Sequence, residues 1–156
     1  MITIDIPGNK KIEVEHLVLD YNGTLAIDGT LIPGVREILN SLAEDLKIHI
    51  VTANTFGKTT ENLVDINCNL VIINNDFQQL QKVKYISDLG ENNVIAIGNG
   101  LNDALMIKNA ALGIVVIQKE GASVKSLENA DIVCSNIIDA LELLKNPLRI
   151  IATLRN

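Results

Sequence analysis

The stretch His16-Leu17-Val18-Leu19-Asp20-Tyr21-Asn22-Gly23-Thr24-Leu25 decides the fold of this chain. Its first four residues are mostly apolar, which predicts a buried strand that leads directly into Asp20. Asn22-Gly23 is a turn dipeptide whose glycine tolerates a positive φ, and Thr24 can hydrogen-bond locally. A carboxylate at the carboxyl end of a buried strand is placed for chemistry. An ordinary strand-loop acid that precedes a turn fits these residues about as well.

The composition is that of one globular domain, residues 1–156, with 47% hydrophobic and 21% charged residues. Aromatic residues are only 3%, so the core is expected to be aliphatic, which suits a parallel sheet buried on both faces. The net charge of -6 argues against nucleic acid or an anionic membrane surface as a partner.

The cysteines and the N-terminus predict a cytoplasmic location. Cys68 and Cys134 have no metal-binding spacing and are interpreted as reduced, buried thiols. Met1 is followed by no apolar signal region, and no run approaches the length of a membrane span.

Strand and helix patterns alternate along the whole chain. Strands are predicted over 2–6, 11–15, 16–19, 47–52, 69–73, 93–97, 112–117 and 132–134. Helices are predicted over 35–46, 57–65, 77–89, 104–110, 122–129, 137–144 and 147–154. The first two strands form a hairpin that we expect on an edge of the sheet, and residues 25–33 form a small flap. The alternation indicates an α/β fold with a parallel sheet and helices on both faces.

Polar motifs follow three of these strands. Asp20, Thr52 and Asn99 each come directly after a predicted strand. Ligands of such sheets bind beyond the carboxyl ends of the strands, so the three motifs are expected to converge on one edge. That convergence is stronger evidence for a site than any one motif.

The opening motif resembles that of a known superfamily. Leu-Asp-Tyr-Asn-Gly-Thr-Leu, from Leu19, is similar to the pattern Asp-x-Asp-Gly-Thr-Leu of the haloacid dehalogenase-like (HAD) phosphotransferases. The resemblance implies that Asp20 is the nucleophile that takes up phosphate. The general acid/base position holds Asn22 instead of an acid. P-type ATPases, built on the same fold, also lack the second acid and have threonine there.

Three further motifs extend the resemblance over nearly the whole chain. Thr52 resembles the second motif, although it also fits a threonine that merely ends a strand. Lys82 best matches the lysine of the third motif, with Lys84 as the runner-up and a solvated helix lysine as the plain alternative. Gly98-Asn99-Gly100-Leu101-Asn102-Asp103 resembles the Gly-Asp-Gly-x-Asn-Asp signature of P-type ATPases, with an amide at Asn99 in place of the first acid.

The resemblance implies a site for Mg²⁺ and phosphate. Its metal ligands would be Asp20, the backbone carbonyl of Asn22, the amide oxygen of Asn99, and Asp103. The implied cofactor-binding residues are Thr52, Ala53, Asn54 and Gly23, and the implied catalytic residues are Asp20, Asn22, Thr52 and Lys82. With fewer negative charges, Mg²⁺ should bind weakly and depend more on the phosphate itself. His16 and His49 are interpreted as packed or edge residues.

The resemblance thus predicts a three-layer Rossmann-like fold with an N-terminal hairpin and no cap domain. The expected function is a Mg²⁺-dependent phosphohydrolase or phosphotransferase that forms an aspartyl-phosphate on Asp20 and is slow because of Asn22. The alternative is a phosphate-binding or regulatory protein with a degenerate site. A phosphorylated substrate is the expected partner. An open, capless site also suggests a homo-oligomer in which a neighbour covers the Asp20 edge.

Overall fold

The computed structural model describes residues 1–53 and 59–156. Its strands are β1 (Ile2–Asp5), β2 (Lys11–Val14), β3 (His16–Leu19), β4 (Ala26–Ile27), β5 (Thr30–Leu31), β6 (Lys47–Thr52), β7 (Asn69–Ile72), β8 (Val94–Gly98), β9 (Leu112–Val116) and β10 (Ile132–Cys134). Its helices are α1 (Val35–Leu42), α2 (Thr59–Asn62), α3 (Gln78–Leu89), α4 (Ala104–Asn109), α5 (Val124–Asn129), α6 (Ile137–Lys145) and α7 (Pro147–Leu154).

Six strands pair in parallel, in the order β10-β9-β8-β3-β6-β7. The chain leaves β3 toward β6 and β7 and then crosses back to β8 on the other side, so the strand order reverses beside β3. Leu19 pairs with Ile50 of β6 and with Ile97 of β8, which aligns the carboxyl ends of these three strands. Crevices at such reversal points are where open α/β sheets bind ligands.

Helices cover both faces of the sheet and complete three layers, as predicted. Odd-numbered positions of β3, such as Leu17 and Leu19, pack in one cluster with α1 and α6. Val18 faces the other way, in a second cluster with α3 and α4, which contribute Ile86 and Met106. Aliphatic strands can therefore bury both faces without aromatic residues.

The N-terminal hairpin forms, but the prediction that it lies on an edge of the main sheet is wrong. β1 and β2 form a separate two-stranded antiparallel sheet, and β7 and β10 are the edges of the main sheet. The inward-facing residues of the hairpin, including Ile4 and Ile12, are buried, and β1 contacts α7. The hairpin is thus held by packing against a helix rather than by an extended ladder.

The remaining differences from prediction are local. The first crossover helix ends at Leu42 rather than at 46, and α3 begins after Phe77, which has φ +55°. Of the helix predicted over 57–65, residues 57 and 58 lie outside the described ranges. Cys68 and Cys134 are free and half-buried rather than buried.

No cap domain is inserted between the described elements, as expected. The flap over 25–33 is the β4–β5 hairpin, and the described residues between β6 and β7 form only the single-turn helix α2 and its flanking turns. Within residues 1–53 and 59–156, every helix is too short or too polar to cross a bilayer.

Candidate active site

Two carboxylates and one ammonium meet at the end of β3. The Lys82 Nζ donates to Asp20 Oδ1 at 2.5 Å and to Asp103 Oδ1 at 2.7 Å. Lys82 and Asp103 are 1% and 0% exposed, whereas Asp20 is 6% exposed and lines a cleft. Lys84, the alternative for the motif lysine, is exposed and pairs with Asp88 on the same helix. The structure therefore brings Lys82, and not Lys84, to the predicted nucleophile.

This buried group of three charges has one negative charge in excess. Burial and the neighbouring charge of Asp103 raise the pKa of Asp20 to about 6, although Lys82 opposes the shift. Burial lowers the pKa of Lys82, but Asp103 and Asp20 together raise it well above its usual range. The lysine is therefore cationic, and its charge is shared between two carboxylates.

The loop after β8 is folded around Asp103. Asp103 Oδ2 accepts hydrogen bonds from the backbone N–H groups of Asn99 and Gly100, at 3.0 and 2.8 Å. A side chain at Gly98 would overlap the Asp103 carboxyl group, which explains the glycine. Both oxygens of Asp103 thus accept protein hydrogen bonds, and the side chain is wholly buried. Asp103 positions Lys82 and the loop that carries Asn99, and its role as a metal ligand stays a prediction that would require one of these bonds to be exchanged.

Thr24 and Asn99 connect the nucleophile to this loop. The Thr24 hydroxyl lies 3.2 Å from Asp20 Oδ2 and 3.1 Å from Asn99 Oδ1, and its single proton can serve one oxygen at a time. Gly23 has φ +80°, and a side chain there would overlap the Asn99 amide. The close approach of these two loops therefore requires glycine at position 23.

The turn after β9 is fixed against the same loops. Gln118 Nε2 donates to the carbonyls of Gly23 and Thr24 at 2.9 and 2.8 Å, and its Oε1 accepts from the N–H of Ile137 at 2.9 Å. The Asn99 Nδ2 donates to the carbonyl of Gly121 at 3.0 Å. These bonds hold both ends of the turn that carries Glu120.

The cleft has a volume of about 190 Å³. Its described lining residues are Asp20, Asn22, Thr52, Ala53, Gln78, Asn99, Gly100, Asn102 and Glu120. The predicted residues at the ends of β3, β6 and β8 thus converge, whereas Asn54 lies outside the described residues. Gln118, Glu120 and Gln78 were not predicted.

The histidines lie in the sheet region rather than in the cleft lining. His49 is buried and bonded to His16 at 2.9 Å and to the Tyr85 hydroxyl at 2.8 Å. Burial, followed by the nearby His16 and Lys47, lowers the pKa of His49 to about 4. The interpretation of both histidines as packing residues agrees with this arrangement.

The cleft offers oxygen donors that suit a Mg²⁺ ion. Within residues 1–53 and 59–156, no three His, Cys, Asp or Glu side chains cluster as a metal site, so these side chains alone would not complete the coordination of an ion here. Asp20 supplies one carboxylate, and it belongs to the buried group of three charges that has one negative charge in excess. Asn22 Oδ1 is buried without a hydrogen-bond partner among the described residues. Mg²⁺ commonly takes only one or two carboxylates plus water and phosphate, so this donor set fits it.

Comparison with known sequences identifies relatives but no matching family model. An uncharacterised protein of Methanocaldococcus jannaschii is 47% identical over 83 residues, which are 51% of this chain and 89% of that protein. A phosphoserine phosphatase of Lactococcus lactis is 30% identical over 116 residues, which are 73% of this chain and 52% of the phosphatase. The chain therefore spans about half the length of the second relative.

Comparison with solved structures identifies the fold. The 3-deoxy-D-manno-octulosonate 8-phosphate phosphatase of Moraxella catarrhalis, determined with magnesium and phosphate ions, matches with a TM-score of 0.68 at 18% identity. That match covers 91% of this chain and 94% of the phosphatase. The catalytic domain of the CPx-ATPase CopB-B matches with a TM-score of 0.58 at 27% identity, over 75% of this chain and 46% of that one.

Proposed function

Because the chain belongs to the haloacid dehalogenase-like superfamily, we propose that it is a Mg²⁺-dependent phosphohydrolase or phosphotransferase that works through an aspartyl-phosphate on Asp20. The observation that carries this proposal is the contact of Lys82 Nζ with Asp20 Oδ1 at 2.5 Å, beside a cleft of about 190 Å³ that Asp20 lines. The phosphatases among the relatives and structural neighbours support the same reaction class.

Each residue of the site would have a separate role in phosphoryl transfer. Asp20 attacks phosphorus, and the leaving oxygen departs with the electron pair of the broken P–O bond. Lys82 offsets negative charge at the nucleophile, and Thr52, which ends β6 and lines the cleft, would hold a phosphoryl oxygen. Asp20, the backbone carbonyl of Asn22 and the amide oxygen of Asn99 would hold Mg²⁺. When bound, the ion neutralises charge on the phosphoryl oxygens.

The amide at Asn22 should make the phosphorylated form of the protein persist. An amide can neither protonate a leaving group nor activate water, and general acid/base catalysis typically supplies about 10²–10⁴-fold in rate. Formation of the aspartyl-phosphate suffers least when the donor has a good leaving group. Hydrolysis suffers most, because water attacks without a base at position 22.

Acetyl phosphate is the donor that tests this proposal. Intact-mass spectrometry after brief treatment with Mg²⁺ and acetyl phosphate should show one added phosphoryl group, absent from Asp20→Asn. Asn22→Asp should shorten the lifetime of that adduct by about 10²-fold. If Asn22→Asp turns over and the native protein never forms an adduct, then Asn22 also blocks the first step.

The second candidate is a phosphate-binding or regulatory protein with little turnover. The two amides, Asn22 and Asn99, at positions where the family pattern has acids favour it. This phosphate-binding function is the better explanation if neither the native protein nor Asn22→Asp forms an adduct while calorimetry still shows that phosphate binds.

A further inference from the structure

Glu120 shares the cleft with the nucleophile. Among the described lining residues, Asp20 and Glu120 are the two that carry carboxylates. Asp20 is bonded to the buried lysine, whereas Glu120 is exposed on the turn after β9 and pairs with no lysine or arginine among the residues that the structure describes. A carboxylate beside an attacked phosphorus can take a proton from water, which the amide of Asn22 cannot.

The turn that carries Glu120 is held by hydrogen bonds at both of its ends. Gln118 anchors its start with three hydrogen bonds, two to the nucleophile loop and one from the first residue of α6. The N–H of Gly121 donates to the carbonyl of Gln118 at 2.8 Å, and Gly121 has φ +74°. Asn99, itself in the cleft, holds the carbonyl of Gly121. Both ends of the turn are therefore fixed relative to Asp20.

The Glu120 side chain is also held. The backbone N–H of Asp28, in the flap, donates to Glu120 Oε1 at 3.0 Å. This leaves the second carboxylate oxygen for another partner. The flap, the turn and the cleft thus restrict a flexible side chain that would otherwise lose orientation in water.

We propose that Glu120 is a general base that partly replaces the missing acid at position 22, so that the phosphorylated protein still decays, but more slowly than it would with an acid at that position. This inference rests on the proposed function. In hydrolysis, a water oxygen attacks the phosphorus of the aspartyl-phosphate while Glu120 takes one proton of that water. The bond between phosphorus and the Asp20 oxygen breaks, its electron pair returns to the Asp20 carboxylate, and inorganic phosphate leaves.

The test is the decay of the phosphorylated protein. Native protein, Glu120→Gln and the control Glu44→Gln are labelled with acetyl phosphate and Mg²⁺, freed of donor by desalting, and followed by intact mass. The Glu120→Gln side chain keeps an oxygen that can accept from Asp28, so the turn should be retained. Glu44 is exposed just before β6, at the opposite edge of the sheet, and its replacement removes the same charge. We expect decay about 10- to 100-fold slower in Glu120→Gln and unchanged in Glu44→Gln.

A second variant distinguishes chemistry from structure. Glu120→Ala should decay as slowly as Glu120→Gln, and added formate should restore its decay rate, because a small carboxylate can occupy the space and accept the proton. Equal decay in Glu120→Gln and native protein, or an absence of formate rescue in a folded Glu120→Ala, overturns the inference while leaving the proposed function intact. Weaker Mg²⁺ binding in Glu120→Gln with unchanged decay would make Glu120 a metal ligand and also overturn it. Absence of an adduct in every protein would instead overturn the proposed function.

Discussion

Replacing the nucleophile with asparagine should stabilise the metal-free protein at neutral pH. Burial and the charge of Asp103 raise the pKa of Asp20 from 3.8 to about 6. Each pKa unit corresponds to about 1.4 kcal/mol, so ionised Asp20 lowers the free energy of unfolding by about 3 kcal/mol at a pH of about 7.5. Asparagine carries no charge and removes this penalty. Its amide nitrogen must replace an oxygen near Thr24, so we expect a net gain of about 2 kcal/mol.

The gain should depend on pH in a definite direction. A carboxyl group whose pKa is raised in the folded state favours folding only while it is protonated. The penalty therefore grows as the pH rises from 3.8 to about 6 and is constant above that. At a pH of about 4.5, linkage leaves only about 1 kcal/mol of the full penalty. The gain in free energy of unfolding of Asp20→Asn over the native protein should accordingly fall by about 2 kcal/mol between a pH of about 7.5 and a pH of about 4.5.

Urea unfolding in the presence of a chelator measures this difference. Native protein and Asp20→Asn are compared at both pH values, with Asp5→Asn, an exposed acid on β1, as the control for loss of one charge. Added Mg²⁺ should then stabilise the native protein and have less effect on Asp20→Asn, because ligands stabilise the state that binds them. The reasoning is refuted if Asp20→Asn is no more stable than the native protein at the higher pH, or if its gain is the same at both pH values.

Three further predictions concern the surroundings of the nucleophile. Lys82→Met should lower the free energy of unfolding at neutral pH by about 3–5 kcal/mol in urea titrations, because it leaves two buried carboxylates without their cation. The exposed Lys84→Met should change it by less than about 1 kcal/mol, and similar losses in both variants would contradict this interpretation. Asn99→Asp should tighten Mg²⁺ binding in calorimetry with a phosphate analogue, and unchanged Mg²⁺ affinity would show that Asn99 does not face the metal. The same substitution should lower the stability of the metal-free protein, because a carboxylate oxygen would then face the carbonyl of Gly121. Light scattering at micromolar concentration should give an oligomer mass, since Phe77 and other apolar residues are exposed, and a monomer mass would exclude this.

The part of the site that could be predicted follows from one rule. In a parallel sheet the carboxyl ends of neighbouring strands lie at one edge, so polar residues that follow strands must meet there. This rule is enough to predict that Asp20, Thr52 and Asn99 converge. It applies equally to Gln118 and Glu120, which follow β9 almost directly. They belong to no family motif, so their place at the cleft depends on the fold of the turn after β9.

The parts that could not be predicted depend on contacts between distant segments. Sequence spacing places Lys82 and Lys84 two residues apart on one helix, and only packing decides which of them is buried beside Asp20. Alternation in the N-terminal hairpin correctly predicts a buried face but not the element that covers it. The role of Asp103 likewise depends on which atoms already contact its oxygens.

The amide at position 99 has a structural reason that bears on the chemistry. Its oxygen lies 3.1 Å from the Thr24 hydroxyl in the nucleophile loop, and its nitrogen donates to the carbonyl of Gly121 at the end of the turn that carries Glu120. An aspartate has no hydrogen to donate and would repel the Gly121 carbonyl. Asn99 therefore connects the nucleophile to the turn in a way that the acid of the family pattern cannot. The loss of the acid at position 22 and the presence of an amide at position 99 are then parts of one arrangement, in which the catalytic carboxylate is supplied from the turn after β9.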